Sequence, residues 1–129
     1  MSLGLDTSIV VRLLVGLPEK EYRIARKRLD DANQANELVL ISDLVLAEAY
    51  HALCYHYEIP EEEVRRRLAD FIQSGLVLLE PAGAIRALLD SRGAGLMDRM
   101  IHERYRSLDA VTLTFDRKQA DLEGADRLR

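Results

Sequence analysis

The chain has 129 residues, of which 48% are hydrophobic and 31% charged, and its formal net charge is −4. That size and balance suit one domain with a real core. They exclude a membrane span, since no apolar run reaches ~18 residues, a signal peptide of the usual basic-then-apolar pattern, an internal disulfide, since Cys54 is the one cysteine, and a protein that coats nucleic acid by bulk attraction; a cytoplasmic protein is the expectation.

Leu3 to Leu5 reads as a short buried strand, and Thr7 to Val15 as a helix that Thr7 or Ser8 can cap. Pro18 opens a second helix to about Ala35, with Tyr22, Ala25, Leu29 and Ala32 on one face. Leu38-Val39-Leu40-Ile41 is a continuous apolar run, hence a buried strand. Ser42-Asp43 caps a helix running to about Tyr57. Pro60 starts another, with Glu61, Glu62 and Glu63 at the positive end of its dipole and Gly75 as its stop. Leu76 to Leu79 reads as the third strand, and Pro81 to about Arg92 as helical. Gly93 and Gly95 break that segment before a helix from Leu96 to Tyr105. Ala110 to Thr114 is the fourth strand and Arg117 to Leu122 a short last helix. The end is polar, with Leu128 alone near the terminus.

Strands alternating with helices predict an α/β fold: a three-layer sandwich whose central parallel sheet of four to five strands is covered by helices, with residues 1–129 as a single domain. The basic clusters Arg23 to Arg28, Arg65 to Arg67, and Arg99, Arg104 and Arg106 read first as solvated helix faces.

In such sheets ligands bind beyond the carboxyl ends of the strands. Asp6 and Asp116 each follow a strand, and would face each other if the first and fourth strands were neighbours. Glu48 lies in the apolar run Leu44 to Ala49, about two turns into its helix, and Asp98 is in the first turn of its own. A lone buried carboxylate is costly unless paired, protonated or metal-bound. Several together suggest a cation held by hard oxygen ligands, and hence phosphoryl chemistry. Thr114, and Thr7 or Ser8, flank the acids with hydroxyls suited to hold a ligand water or orient a carboxylate. Each acid also fits an ordinary role: Asp6 as a helix cap, Glu48 on a solvent stripe with His51 and Tyr55, Asp98 as a dipole partner, Asp116 in a turn.

Leu5-Asp6-Thr7-Ser8, Leu46-Ala47-Glu48-Ala49, Leu96-Met97-Asp98 and Thr112-Leu113-Thr114-Phe115-Asp116 together resemble the four acidic motifs of PIN domains, in order and over essentially the whole chain. The nearest resemblance is to VapC-type toxins of toxin–antitoxin pairs. It implies a metal-dependent endoribonuclease in which Asp6, Glu48, Asp98 and Asp116 bind Mg2+ or Mn2+, Thr114 supports them, and a metal-activated water attacks an RNA phosphodiester; Thr7 offers a second supporting hydroxyl from its place beside Asp6. It further implies a homodimer, and a cognate antitoxin whose tail blocks the groove. Two departures stand out: Arg99 stands where the family usually has a small or apolar residue, and could contact RNA phosphate or pair with an acid and dampen activity; and the apolar final strand common in the family is weak here, so a fifth strand should be short or missing.

His51 and His56 are five apart, on different sides of a helix, so they and Cys54 do not make the two-histidine pattern of a zinc site. His102, one turn beyond Asp98, could approach RNA. Tyr50, Tyr55 and Tyr57 suit core, a dimer face or an antitoxin groove, and with no tryptophan the chain shows no base-stacking platform. Asp121 reads as a surface helix residue. A phosphoacceptor receiver would want adjacent acids where Thr7-Ser8 stand, and an aspartate-nucleophile phosphatase an Asp at Ser8. A PIN nuclease of RNA processing outside any toxin system, and a catalytically silent PIN-like binding module, remain the alternatives.

Overall fold

The computed structural model describes residues 2–90 and 92–129 and places strands and helices in the order that the sequence predicts. Ser91, which the expected helix to Arg92 includes, lies outside the described residues. The chain forms two compact units, residues 1–80 and 81–129.

In the first unit, β1 (Ser2–Gly4), β2 (Leu38–Ser42) and β3 (Leu78–Glu80) form a parallel sheet in the order β1-β2-β3. Leu3 stands opposite Val39 and Ile41 opposite Leu79. Side chains on a strand alternate between faces. Val39 and Ile41 are accordingly buried while Leu38 is open to solvent. The expected burial of β1 is only partial, because its outer residues Ser2 and Gly4 are exposed.

The helices of this unit are α1 (Thr7–Val15), α2 (Glu19–Gln34), α3 (Asp43–His51) and α4 (Glu61–Ile72). Asp6, rather than Thr7 or Ser8, occupies the cap position of α1, and Gly16 closes that helix at φ 79°, a conformation suited to glycine. The predicted face of α2 is buried at Ala25, Leu29 and Ala32. Its basic cluster is indeed a solvated face: Arg26 pairs with Asp30 at 3.2 Å and Lys27 with Asp31 at 2.8 Å, four residues on. On α4, Glu61 pairs with Arg65 and Glu63 with Arg67 in the same way. The helix expected to run to Tyr57 is α3 followed by a π-helical turn, Ala52–His56. Val10, Ile41, Leu46, Leu53, Val64 and Leu68 have no exposed surface and form the centre of this core.

The second unit holds a 3-10 turn (Ala82–Ala84), α5 (Ile85–Leu89), α6 (Leu96–Ser107), β4 (Thr112–Thr114), α7 (Arg117–Ala120) and β5 (Ala125–Arg127). The helix predicted from Pro81 is thus a 3-10 turn and a short α-helix. The fifth strand exists despite its polar sequence, and runs parallel to β4 with Thr114 opposite Arg127. The five parallel strands therefore lie in a sheet of three and a sheet of two. Unit 2 buries small apolar side chains, Ala84, Ala87 and Ala94, beside Leu88, Leu96 and Met100. It also buries four polar ones: His102, Glu103, Thr112 and Gln119. No helix among the described residues is long and apolar enough to cross a membrane.

Candidate active site

Asp6 and Asp116 occupy equivalent positions in the two units. Each lies two residues beyond a strand, β1 or β4, and each takes the cap position of the next helix. The chain turns there from strand to helix, and a short acidic side chain tolerates the extended backbone that a cap needs. Among the described residues β1 pairs with β2, and β4 with β5.

In unit 1, Asp6 holds the cap position without a capping hydrogen bond. Among the described residues its carboxylate accepts one bond, a long one from the Ser8 hydroxyl at 3.4 Å. Glu48 is exposed on α3, and its carboxylate has no hydrogen bond or ion pair among the described residues. Thr7 opens α1, which packs against α3. Asp43 is a further acid that the sequence reading treats only as part of a cap. It is 4% exposed and accepts a bond from the Ser42 hydroxyl at 3.3 Å. A groove of about 450 Å3, lined by Leu5, Ser8, Ile9, Ile24, Leu29 and Val39, opens beside Asp6.

In unit 2, Asp98 sits in the first turn of α6, half-buried, where the helix dipole favours a negative charge. Its carboxylate has no hydrogen bond among the described residues, whereas its backbone carbonyl accepts from the side-chain amide of Gln119 at 3.1 Å. Asp116 Oδ1 accepts from the Gln119 backbone N–H at 2.9 Å. Thr114 connects the two: its hydroxyl accepts from the Asp116 N–H at 3.0 Å and donates to Gln119 Oε1 at 3.0 Å. Gln119, 8% exposed, is the residue that sequence reasoning missed. Its signal was the Asp116-x-x-Gln119 spacing, the N-cap-to-N3 interval of a capping box.

The family model described as PIN domain matches residues 4–125. The chain belongs to the PIN domain family. No curated protein and no solved structure matches it. PIN domains are generally nucleases that use a divalent metal.

The four acids that the sequence singles out suit such a metal in kind. All four are carboxylates, hard oxygen ligands of the sort Mg2+ prefers. Each keeps an oxygen free of strong hydrogen bonds, since only Asp116 Oδ1 is tightly engaged. Asp6 and Glu48 belong to unit 1, Asp98 and Asp116 to unit 2. Among the described residues no three His, Cys, Asp or Glu side chains are grouped so as to hold a metal.

Other candidates resolve differently. Arg99 is 13% exposed and turned onto its own loop, donating to the carbonyls of Ala94 and Arg92 and pairing with Asp90. It is therefore not a free cation for RNA, and the acid it pairs with is none of the four. Bonds from the Arg92 backbone and side chain, with the charge of Arg99 beside them, hold the Asp90 carboxyl below its ordinary range. His102 is buried rather than poised over a substrate: Nε2 donates to the Glu123 carbonyl at 2.6 Å, and Nδ1 lies 2.7 Å from the Thr112 hydroxyl. His51 stacks at a tilt on Tyr55, centroids 4.7 Å apart, and His56 meets Tyr57 edge-on. Tyr50 is held near Arg65 and bonds Glu61, which keeps the Glu61 carboxyl low, while burial drives the Tyr50 phenol up.

Proposed function

We propose that this PIN domain is a metal-dependent endoribonuclease, the toxin of a type II toxin–antitoxin pair, with Asp6, Glu48, Asp98 and Asp116 as its Mg2+ or Mn2+ ligands. The observation that carries the reading is the family match over residues 4–125, which spans all four acids. When bound, the metal supplies acidification of water and neutralisation of charge on the phosphate in the transition state.

The chain's own residues have separable tasks. The four carboxylates hold the cation. Thr114 orients the loop carrying Asp116 through the bond it accepts from the Asp116 N–H. Thr7 supports the turn after Asp6. Arg99 is engaged elsewhere, so the residues best placed to meet RNA phosphate are Arg117 and Lys118, which follow Asp116 on α7. Both are exposed and have no ion pair among the described residues. Ile24, Leu44 and Tyr55, all largely exposed, offer apolar surface for a second copy in a homodimer. The groove beside Asp6 offers a bed for an antitoxin segment. The site of action is the cytoplasm.

The test is cleavage of labelled RNA with and without Mg2+ or Mn2+, comparing wild type with Asp98→Asn. Metal-dependent cutting that the substitution abolishes, in a folded protein, supports the reading. Cutting that survives it removes Asp98 from the site. Growth arrest on expression, relieved by the protein encoded beside it, tests the toxin assignment.

A further inference from the structure

We propose that Gln119 is a positioning residue for the Asp98–Asp116 pair, an inference that rests on the nuclease reading above. Four groups form one continuous chain of hydrogen bonds. The Asp116 N–H donates to Thr114 Oγ1, that hydroxyl donates to Gln119 Oε1, and Gln119 Nε2 donates to the Asp98 carbonyl. The direction of the chain is fixed. A backbone carbonyl can only accept, so the amide nitrogen of Gln119 must face Asp98, and its oxygen is left for Thr114. Gln119 is 8% exposed and Thr114 half-buried, so water competes little for these bonds, and each polarises the next. A second bond, from the Gln119 N–H to Asp116 Oδ1, closes the loop at 2.9 Å.

Both acids are thus held through their main chains. The carbonyl of Asp98 is anchored while its carboxylate is left alone, and one oxygen of Asp116 is used while the other is not. Such an arrangement sets the spacing of the two acids while leaving the Asp98 carboxylate and one oxygen of Asp116 open to a metal. Fixing ligands through a second layer of hydrogen bonds is commonly worth about 10–100-fold in metal affinity or activity. Among the described residues Gln119 alone bonds to both acids, to Asp98 through its side-chain amide and to Asp116 through its backbone N–H. Methionine at this position matches the length of glutamine, favours a helix comparably and makes none of the side-chain bonds.

The decisive experiment compares wild type with Gln119→Met, reading free Mn2+ by electron paramagnetic resonance, kcat and KM for RNA cleavage, and the thermal midpoint. The expected result is Mn2+ affinity and kcat each reduced by about tenfold, with KM for RNA little changed and the protein folded at the assay temperature. Thr114→Val, which cuts the same chain one bond earlier, should give a similar loss, and the double variant should lose less than the sum of the two. If Gln119→Met does not fold, Gln119→Glu serves instead. It keeps an acceptor toward Thr114 but turns a charged carboxylate oxygen, which cannot donate, toward the Asp98 carbonyl, so kcat at saturating Mn2+ should still fall. Unchanged Mn2+ affinity and kcat in a folded variant, beside a wild type that binds Mn2+ and cuts RNA, overturn the positioning role and leave the nuclease reading intact. A wild type that neither binds Mn2+ nor cuts RNA overturns the nuclease reading, and the positioning role with it.

Discussion

The two units carry the same kind of acid at the same kind of turn but are held together by different forces. Unit 1 packs leucine, isoleucine and valine side chains of α1, α3, α4, β2 and the π-helical turn into a core with no exposed surface at Val10, Ile41, Leu46, Leu53, Val64 or Leu68. Unit 2 buries Ala84, Ala87 and Ala94 beside only three larger apolar side chains, Leu88, Leu96 and Met100, and adds His102, Glu103, Thr112 and Gln119 to its interior, each bonded to a partner. Apolar burial is non-directional and tolerates small shifts. Hydrogen bonds to a fixed carbonyl or hydroxyl are directional and do not. The difference suggests that unit 1 supplies bulk stability, whereas unit 2 supplies geometry around its two acids.

That contrast can be broken most sharply at an acid. Asp98→Asn should lower metal-dependent RNA cleavage on the order of a hundredfold or more while barely moving the thermal midpoint, because the structure holds Asp98 by its carbonyl. A large drop in midpoint would mean that the carboxylate, not the main chain, carries the local fold. Next in size is Leu68→Ala in unit 1, which should cost about 2–5 kcal/mol in denaturant unfolding by opening a cavity in the core. His102→Leu in unit 2 should cost less, about 1–3 kcal/mol, by leaving the Thr112 hydroxyl and the Glu123 carbonyl unpaired. Its signature is faster amide exchange in β4 and β5 with α4 unaffected.

The smallest effect is alkaline and belongs to unit 1. Burial raises the Tyr50 phenol above its ordinary value of about 10, with the bond to Glu61 adding to it. Burial likewise raises the Cys54 thiol, against a weaker opposing pull from its bond to Tyr50. Both groups are neutral in the fold that prefers them. Their contribution is whole below the ordinary thiol and phenol values and fades as pH rises through the folded ones. Unfolding midpoints followed from pH 8 to 11 should fall less in Tyr50→Phe than in wild type; parallel curves would rule the phenol out.

Much of this was readable from residue order. The period of Ala25, Leu29 and Ala32, the prolines before α2 and α4, and the apolar runs of β2 and β3 mark their elements because local propensity and burial agree there. The acids after β1 and β4 were legible for the same reason: a charge directly after a strand stands out against its neighbours. Four things were not legible. The π-helical turn after α3 uses helix-forming residues, so no propensity distinguishes it from the helix it extends. β5 is polar, and its strand character comes from pairing with β4 rather than from composition. The fates of Arg99 and His102 depended on partners at Ala94 and Thr112 and in the segment after α7, which no helical period reveals. Gln119 was hidden because its spacing from Asp116 marks a cap, while its reach to Asp98 spans 21 positions of sequence.

Anchoring an acid by its backbone has a consequence for inheritance. A codon change that replaces the Asp98 carboxylate leaves the carbonyl, and therefore the shape, as it was. Loss of activity then need not bring loss of the protein. A disarmed copy would persist at normal abundance and still occupy whatever surfaces the active form occupies, as a competitor made by one mutation.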